Sequence, residues 1–320
     1  MIEQLLRLLR TETAGDPMGG LLWTYRSLAK LAAELSRCGS SVSPATVGKW
    51  LKSLGYSLHV NRKSLSAASP PGRDDQFQRI AALRQHCRDK GIPILSVDTK
   101  KKELVGRFRN AGATWGTSPE EVNDHDFRSQ AKGLAVPYGL YDLLANRGTV
   151  FVGDSKDTPA FAVDCLEHWC RTEGLERYPD SDRIVILADC GGSNGYRCRA
   201  WKYFLQTKLC DRHGLRVTVA HYPSGSSKWN PIEHRLFSAI SRNWAGRPLE
   251  TWETVLNYIR TTTTKTGLRV QSVRVKQQYR TGVKISDRQM AELNITKGNK
   301  LPDWNYDIRP RQPHQPPAAT

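Results

Sequence analysis

The sequence predicts an α/β protein: a partly parallel sheet covered by helices on both faces, preceded by a small all-helical module. Three observations predict it. From residue 92 onward, short apolar runs alternate with amphipathic stretches, the order of a sheet with crossover helices. Two of those runs, "IPILSVD" and "RIVILAD", end on an aspartate, where open α/β sheets build their sites. Residues 23–55 instead carry two short helical repeats around a polar turn. Hydrophobic residues make up 38% of the 320, with nine Trp and eleven Tyr, enough to bury a core of one large domain or two ordinary ones.

In the first segment Leu28, Leu31, Ala32 and Leu35 recur at helical spacing. A turn at Gly39 follows. Ser43 can then cap a second helix with Pro44 at its first position, an apolar face of Val47, Trp50, Leu51 and Leu54, and a stop at Gly55. This is the pattern of a helix-turn-helix, and an ordinary helical hairpin produces it too. In a helix-turn-helix the second helix enters the major groove. Here it would present Ser43, Thr46, Lys49, Lys52 and Ser53, donors suited to phosphates and base edges.

In the second segment Ile92 to Val97 is the first strand, ending on Asp98 and followed by Lys100, Lys101 and Lys102. Residues 100–135 form an excursion, and residues 136–154 a hairpin turning near "ANRG". Residues 157–171 read as a helix, residues 183–188 as a strand ending on Asp189, and Gly195 to His213 as a second helix. "LRVTVAHYP" is the last expected strand. "WNPIEHRLFSAISRNW" is a helix capped by Asn230, with Pro231 at its start and Glu233 in its first turn.

Neighbouring strands would bring Asp98 and Asp189 together across ninety-one residues of chain. Each acid alone reads as well as a turn cap, a helix cap or a dipole partner. Together, three converging carboxylates repel one another unless a cation lies between them, and hard oxygen ligands suit Mg²⁺ or Mn²⁺. Two such ions would serve phosphoryl transfer. The loop Gly191, Gly192, Ser193 and Asn194 has little side-chain bulk, so a phosphodiester backbone can come close. Lys100, Lys101, Lys102, Lys228 and His234 are candidates for phosphate contact or local charge support; for the lysines a solvated surface run competes, and for His234 a role in orienting its neighbours.

The formal net charge of +17 favours an anionic partner, most often nucleic acid. The seven cysteines form no C-x-x-C pair, and the N-terminus lacks the layout of a signal peptide. These features point to a cytoplasmic, nucleoid-associated protein with free thiols and no membrane partner.

"ILSVDTKKKELVGRFRNAG", "DHDF", "VPYGLYDLLANRGTVFVG", "ADCGGSNGYR" and "SKWNPIEHRLFSAISRNW" closely resemble the ISAzo-thirteen family of bacterial insertion-sequence transposases, from about Asp16 to near Ile295. That family is similar to the mariner-like group. The resemblance implies a ribonuclease-H-like core with a DDE triad, which falls on Asp98, Asp189 and Glu233. It also implies metal-dependent cleavage of double-stranded DNA at element ends and strand transfer into target DNA. Family members carry more sequence before "GDP", so the chain is expected to be an N-terminally truncated copy that binds element ends more weakly.

The expected division is a helix-turn-helix module over residues 1–60, a linker over 61–75 and a catalytic domain over 76–264. A basic extension over 265–308 and a disordered tail over 309–320 complete it. A homodimer, a non-catalytic DNA-binding regulator and a related nuclease stay open as alternatives.

Overall fold

The computed structural model describes residues 2–12, 14–15, 22–23, 27–57 and 71–311. They form two compact units, residues 1–66 and 67–320. Most of the expected linker and most of the expected tail lie outside the described residues.

In the first unit, α1 (Ile2–Glu12), α2 (Leu28–Arg37) and α3 (Pro44–Ser53) enclose Leu5, Leu9, Leu31, Leu35, Val47 and Leu51. The side chains of Ser27 and Ser43 accept from the backbone N–H groups of Lys30 and Thr46, both at 3.2 Å, which satisfies orphan donors at both helix starts. Gly39 and Gly55 adopt φ near +85°, conformations glycine reaches without strain.

The second unit is built on a nine-stranded sheet. Its strands are β1 (Ile94–Thr99), β2 (Gly133–Asp142), β3 (Arg147–Gly153), β4 (Arg183–Ala188), β5 (Arg216–His221), β6 (Arg269–Val275), β7 (Ile295–Lys297) and β8 (Asn305–Ile308), with a short strand Glu103–Val105 beside β2. Their order is β7-β8-β5-β4-β1-β2-β3-β6. β1, β2 and β3 are an antiparallel meander, while β4 and β5 run parallel to β1. That five-stranded arrangement, with helices on both faces, is the ribonuclease-H-like core.

Strand periodicity divides the faces. Leu95, Val97, Ile186 and Ala188 meet α5 (Pro159–Trp169) and α6 (Arg199–Phe204, continuing through a π turn to Cys210) around Trp169 and Trp201. On the other face, Ile94, Val185 and Leu187 meet α4 (Arg73–Lys90). There too Tyr141, Val150 and Val152 meet α7 (π turn Glu233–Phe237 running into Ser238–Asn243) and α8 (Trp252–Arg260).

Four expectations are corrected. Residues 73–75, assigned to a linker, open α4. β1 runs from Ile94 to Thr99 and not from Ile92 to Val97, with Asp98 at its carboxyl end as expected. The helix expected from Gly195 starts at Arg199. Residues 265–308 are no surface extension: β6 pairs in parallel with β3, and β8 pairs antiparallel with β5. Tyr306 and Ile308 are buried there among the core residues of α6 and β5. Among the described residues no helix is long and apolar enough to cross a membrane.

Candidate active site

Register brings the first two acids together. Val97 and Ala188 are partners in the parallel β1–β4 pair, so the next residues, Asp98 and Asp189, stand side by side on the α4/α7 face. Both line an open cavity of about 770 Å³, with Lys100, Lys101, Lys102, Asp157, Gly191, Gly192 and Asn194 also in its wall. Glu233, at the start of α7, lines the adjoining cavity with Lys100 and Glu103.

A buried polar network fixes this geometry. Asn230 was expected to cap α7, but its side chain does something else. The Nδ2 group donates to Asp189 Oδ1 at 3.0 Å and lies 3.4 Å from the Val97 carbonyl, while Oδ1 accepts from Ser96 Oγ. Ser96 Oγ in turn accepts from the backbone N–H of Ile232 at 3.0 Å. One asparagine therefore ties β1, β4 and the start of α7 together. His221 adds a second tie: its Nδ1 donates to the Asp189 carbonyl at 2.9 Å. A backbone carbonyl can only accept, so Nδ1 carries the proton and Nε2 accepts from Tyr306 Oη at 3.1 Å.

The electrostatics show carboxylates that resist ionisation. Burial, then the charges of Asp189, Glu233 and Asp157, push Asp98 up to about 8, against a lowering hydrogen bond from Thr99 N–H. Burial also raises Asp189, offset by the Asn230 hydrogen bond. Glu233 is raised by burial and by Asp189, offset by His234 and Lys100. Among the described residues no three His, Cys, Asp or Glu side chains are already grouped to hold a metal ion. The donor chemistry nonetheless fits a hard divalent cation. One oxygen of Asp98 is held by Thr99 N–H at 2.7 Å and one of Asp189 by Asn230, which leaves the second oxygen of each available. A cation there would relieve the mutual repulsion.

The remaining expected contact residues divide by exposure. Lys49 and Lys52 are exposed on α3, whereas the Thr46 hydroxyl is engaged with Ser43 Oγ at 2.9 Å. Lys101 and Lys102 are exposed at the cavity. Lys100 departs from the expectation of a solvated phosphate contact. It is 8% exposed, lies 4.3 Å from the Trp244 ring and 3.4 Å from Glu103 Oε1, and burial lowers its pKa. Ser193 and Asn194 are buried, and an added Cβ at Gly191 would meet nothing, so the loop's approachable surface is backbone. Lys228 is exposed, 5.4 Å from the Trp229 ring; the exposed His234 donates from Nε2 to the Lys228 carbonyl. Ser96 and the bracing role of Asn230 were not among the expected site residues. The clue for Asn230 was an asparagine before proline, which reads equally well as a cap.

A Mos1 transposase paired-end complex with left transposon end is similar in structure: 16% identity, 81% of this chain and 69% of that chain covered, TM-score 0.44. A Mos1 mariner paired-end complex with Mn has the same identity and coverage at TM-score 0.43. No curated protein sequence matches. The family described as Rhodopirellula transposase DDE domain matches residues 4–310, nearly the whole chain, and the chain belongs to that family, as the resemblance of its motifs implied.

Proposed function

We propose that Asp98, Asp189 and Glu233 are the acids through which this DNA transposase works, and that they hold Mg²⁺ or Mn²⁺, two ions per site. The observation that carries the proposal is the adjacency of Asp98 and Asp189 at the ends of parallel strands, with the Glu233 charge raising Asp98 and the Asp189 charge raising Glu233. Divalent ions bound there would polarise the scissile phosphate and favour the attacking and leaving oxygens.

The chain's own residues orient and exclude. Asn230 and Ser96 hold Asp189 and the start of α7 in one geometry. His221, buried and neutral, keeps the Asp189 backbone in place without adding charge. Lys100, between the two cavities, offsets the charge of Glu233. The open Gly191–Gly192 backbone and the exposed Lys101 and Lys102 receive the DNA backbone, with Ser193 and Asn194 shaping the loop beneath. Lys49, Lys52 and Thr46 of α3 serve end recognition in a helix-turn-helix module, and Lys228 and His234 flank the acids. Double-stranded element ends and target DNA are the substrates, in a cytoplasmic, nucleoid-associated setting.

The test is Mn²⁺- or Mg²⁺-dependent cleavage and strand transfer on DNA carrying the flanking element ends. Asp189→Asn and Glu233→Gln should each lower cleavage at least about 100-fold, since removing one group that stabilises transition-state charge costs about that much. DNA binding should remain. Wild-type cutting by Glu233→Gln would remove Glu233 from the triad. Hydrolysis without strand transfer would point to a nuclease, and binding without cutting to a regulator.

A further inference from the structure

A fourth carboxylate stands in the wall of the Asp98–Asp189 cavity. Asp157 precedes the N-cap of α5, but the capping role is already filled. Thr158 Oγ1 accepts from Phe161 N–H at 3.2 Å. The Asp157 Oδ1 atom is buried with no hydrogen-bond partner. The same wall holds Asn194, 2% exposed, whose amide Nδ2 is buried and also without a partner. Just behind, Tyr138 Oη is a third such atom; Tyr138 is the register partner of Thr99, next to Asp98, and its ring packs on Phe161 of α5.

A buried polar group left unpaired loses its hydration with nothing in return, and folded proteins carry few of them. Two in the wall of one cavity, Asp157 and Asn194, mark a place that a non-protein group completes. An unpartnered carboxylate oxygen calls for a cation, and an unpartnered amide N–H calls for an oxygen acceptor. A divalent cation together with a phosphodiester oxygen satisfies both.

We infer that Asp157 is a further ligand of the divalent-cation site, entering from the α5 face of the sheet while Glu233 enters from the α7 face. The inference rests on the proposal that Asp98 and Asp189 bind a divalent ion. It gives the cavity that Glu233 does not line a third acid of its own. The Asn194 amide lies in the same wall, placed to receive a phosphodiester oxygen.

The experiment is a Mn²⁺ titration of the full chain, followed by the electron paramagnetic resonance signal of the free ion. Wild type, Asp157→Asn, Asp157→Ser and Asp189→Asn are compared, with melting temperatures in chelator alongside. Both Asp157 variants should bind Mn²⁺ about tenfold more weakly, the lower end for losing a group that supports a metal site. Their melting temperature without metal should be unchanged or higher, because a repelling charge is gone. Wild-type Mn²⁺ affinity in both Asp157 variants, with affinity lost in Asp189→Asn, would overturn the inference and leave the site proposal standing. Wild-type affinity in Asp189→Asn as well would bring down the site proposal and the inference with it. A lower melting temperature in chelator for both Asp157 variants would make Asp157 structural and overturn the inference.

Discussion

His221 shows how one buried side chain links the site to the pH response of the fold. It is fully buried, and burial lowers its pKa to about 4, against a backbone hydrogen bond that raises it. The unfolded chain takes up a proton near pH 6.5, while the folded chain resists until about 4. The stability tied to neutral His221 is therefore complete above pH 6.5 and is lost as pH falls through 4. Between pH 7 and 4.5 this amounts to about 2 kcal/mol. Urea unfolding of wild type and His221→Gln at the two pH values checks it: the variant should lose less stability on acidification by about that amount. Equal losses would mean that His221 is not the group responsible. At the same scale, Asn230 could not have been identified from its neighbours in sequence, because its partners Ser96 and Asp189 lie 134 and 41 residues away.

Elements differ in how well the sequence announces them. α2, α3 and α8 have strong apolar stripes and side-chain caps at their starts, and α2 and α3 form where periodicity places them. α4 has none: its buried residues include Gln76 and Cys87 beside Ile80. Gln76 is buried because it exchanges amide hydrogen bonds with Asn305, at 3.0 and 2.7 Å, and donates to the His221 carbonyl at 2.9 Å. Such a pairing across 229 residues leaves no local signal. Two strand glycines explain how α7 comes close enough to present Glu233. A Cβ at Gly139 would stand 2.5 Å from the Phe237 ring, and one at Gly148 2.5 Å from Leu236 Cδ1. Gly139 is also the register partner of Asp98. Gly139→Val should lift α7, lower stability by about 1–3 kcal/mol through overpacking, and reduce cleavage more than DNA binding. Unchanged melting temperature and cleavage would show that α7 does not need this contact.

At the scale of the whole molecule, the basic C-terminal residues are part of the catalytic unit. β6 and β8 pair with β3 and β5, and the Tyr306 hydroxyl accepts from Trp201 Nε1 at 3.0 Å and meets His221. Truncation after Thr264 should abolish cooperative thermal unfolding, because it strips three strands and the buried Tyr306 and Ile308. A truncated protein that still melts cooperatively near the wild-type temperature would make those strands dispensable. By itself the sequence determined the α/β class, the strand-end placement of both aspartates, the acid at the start of α7 and the family, since these rest on period-two and period-3.6 patterns and on contiguous motifs. Only the tertiary structure decided that residues 265–308 complete the sheet, that Asn230 braces Asp189, that Lys100 is buried and that Asp157 shares the cavity. Each of these depends on strand register and helix packing between residues far apart in the chain. Such contacts arise when the sheet closes, and local residue patterns carry no trace of them.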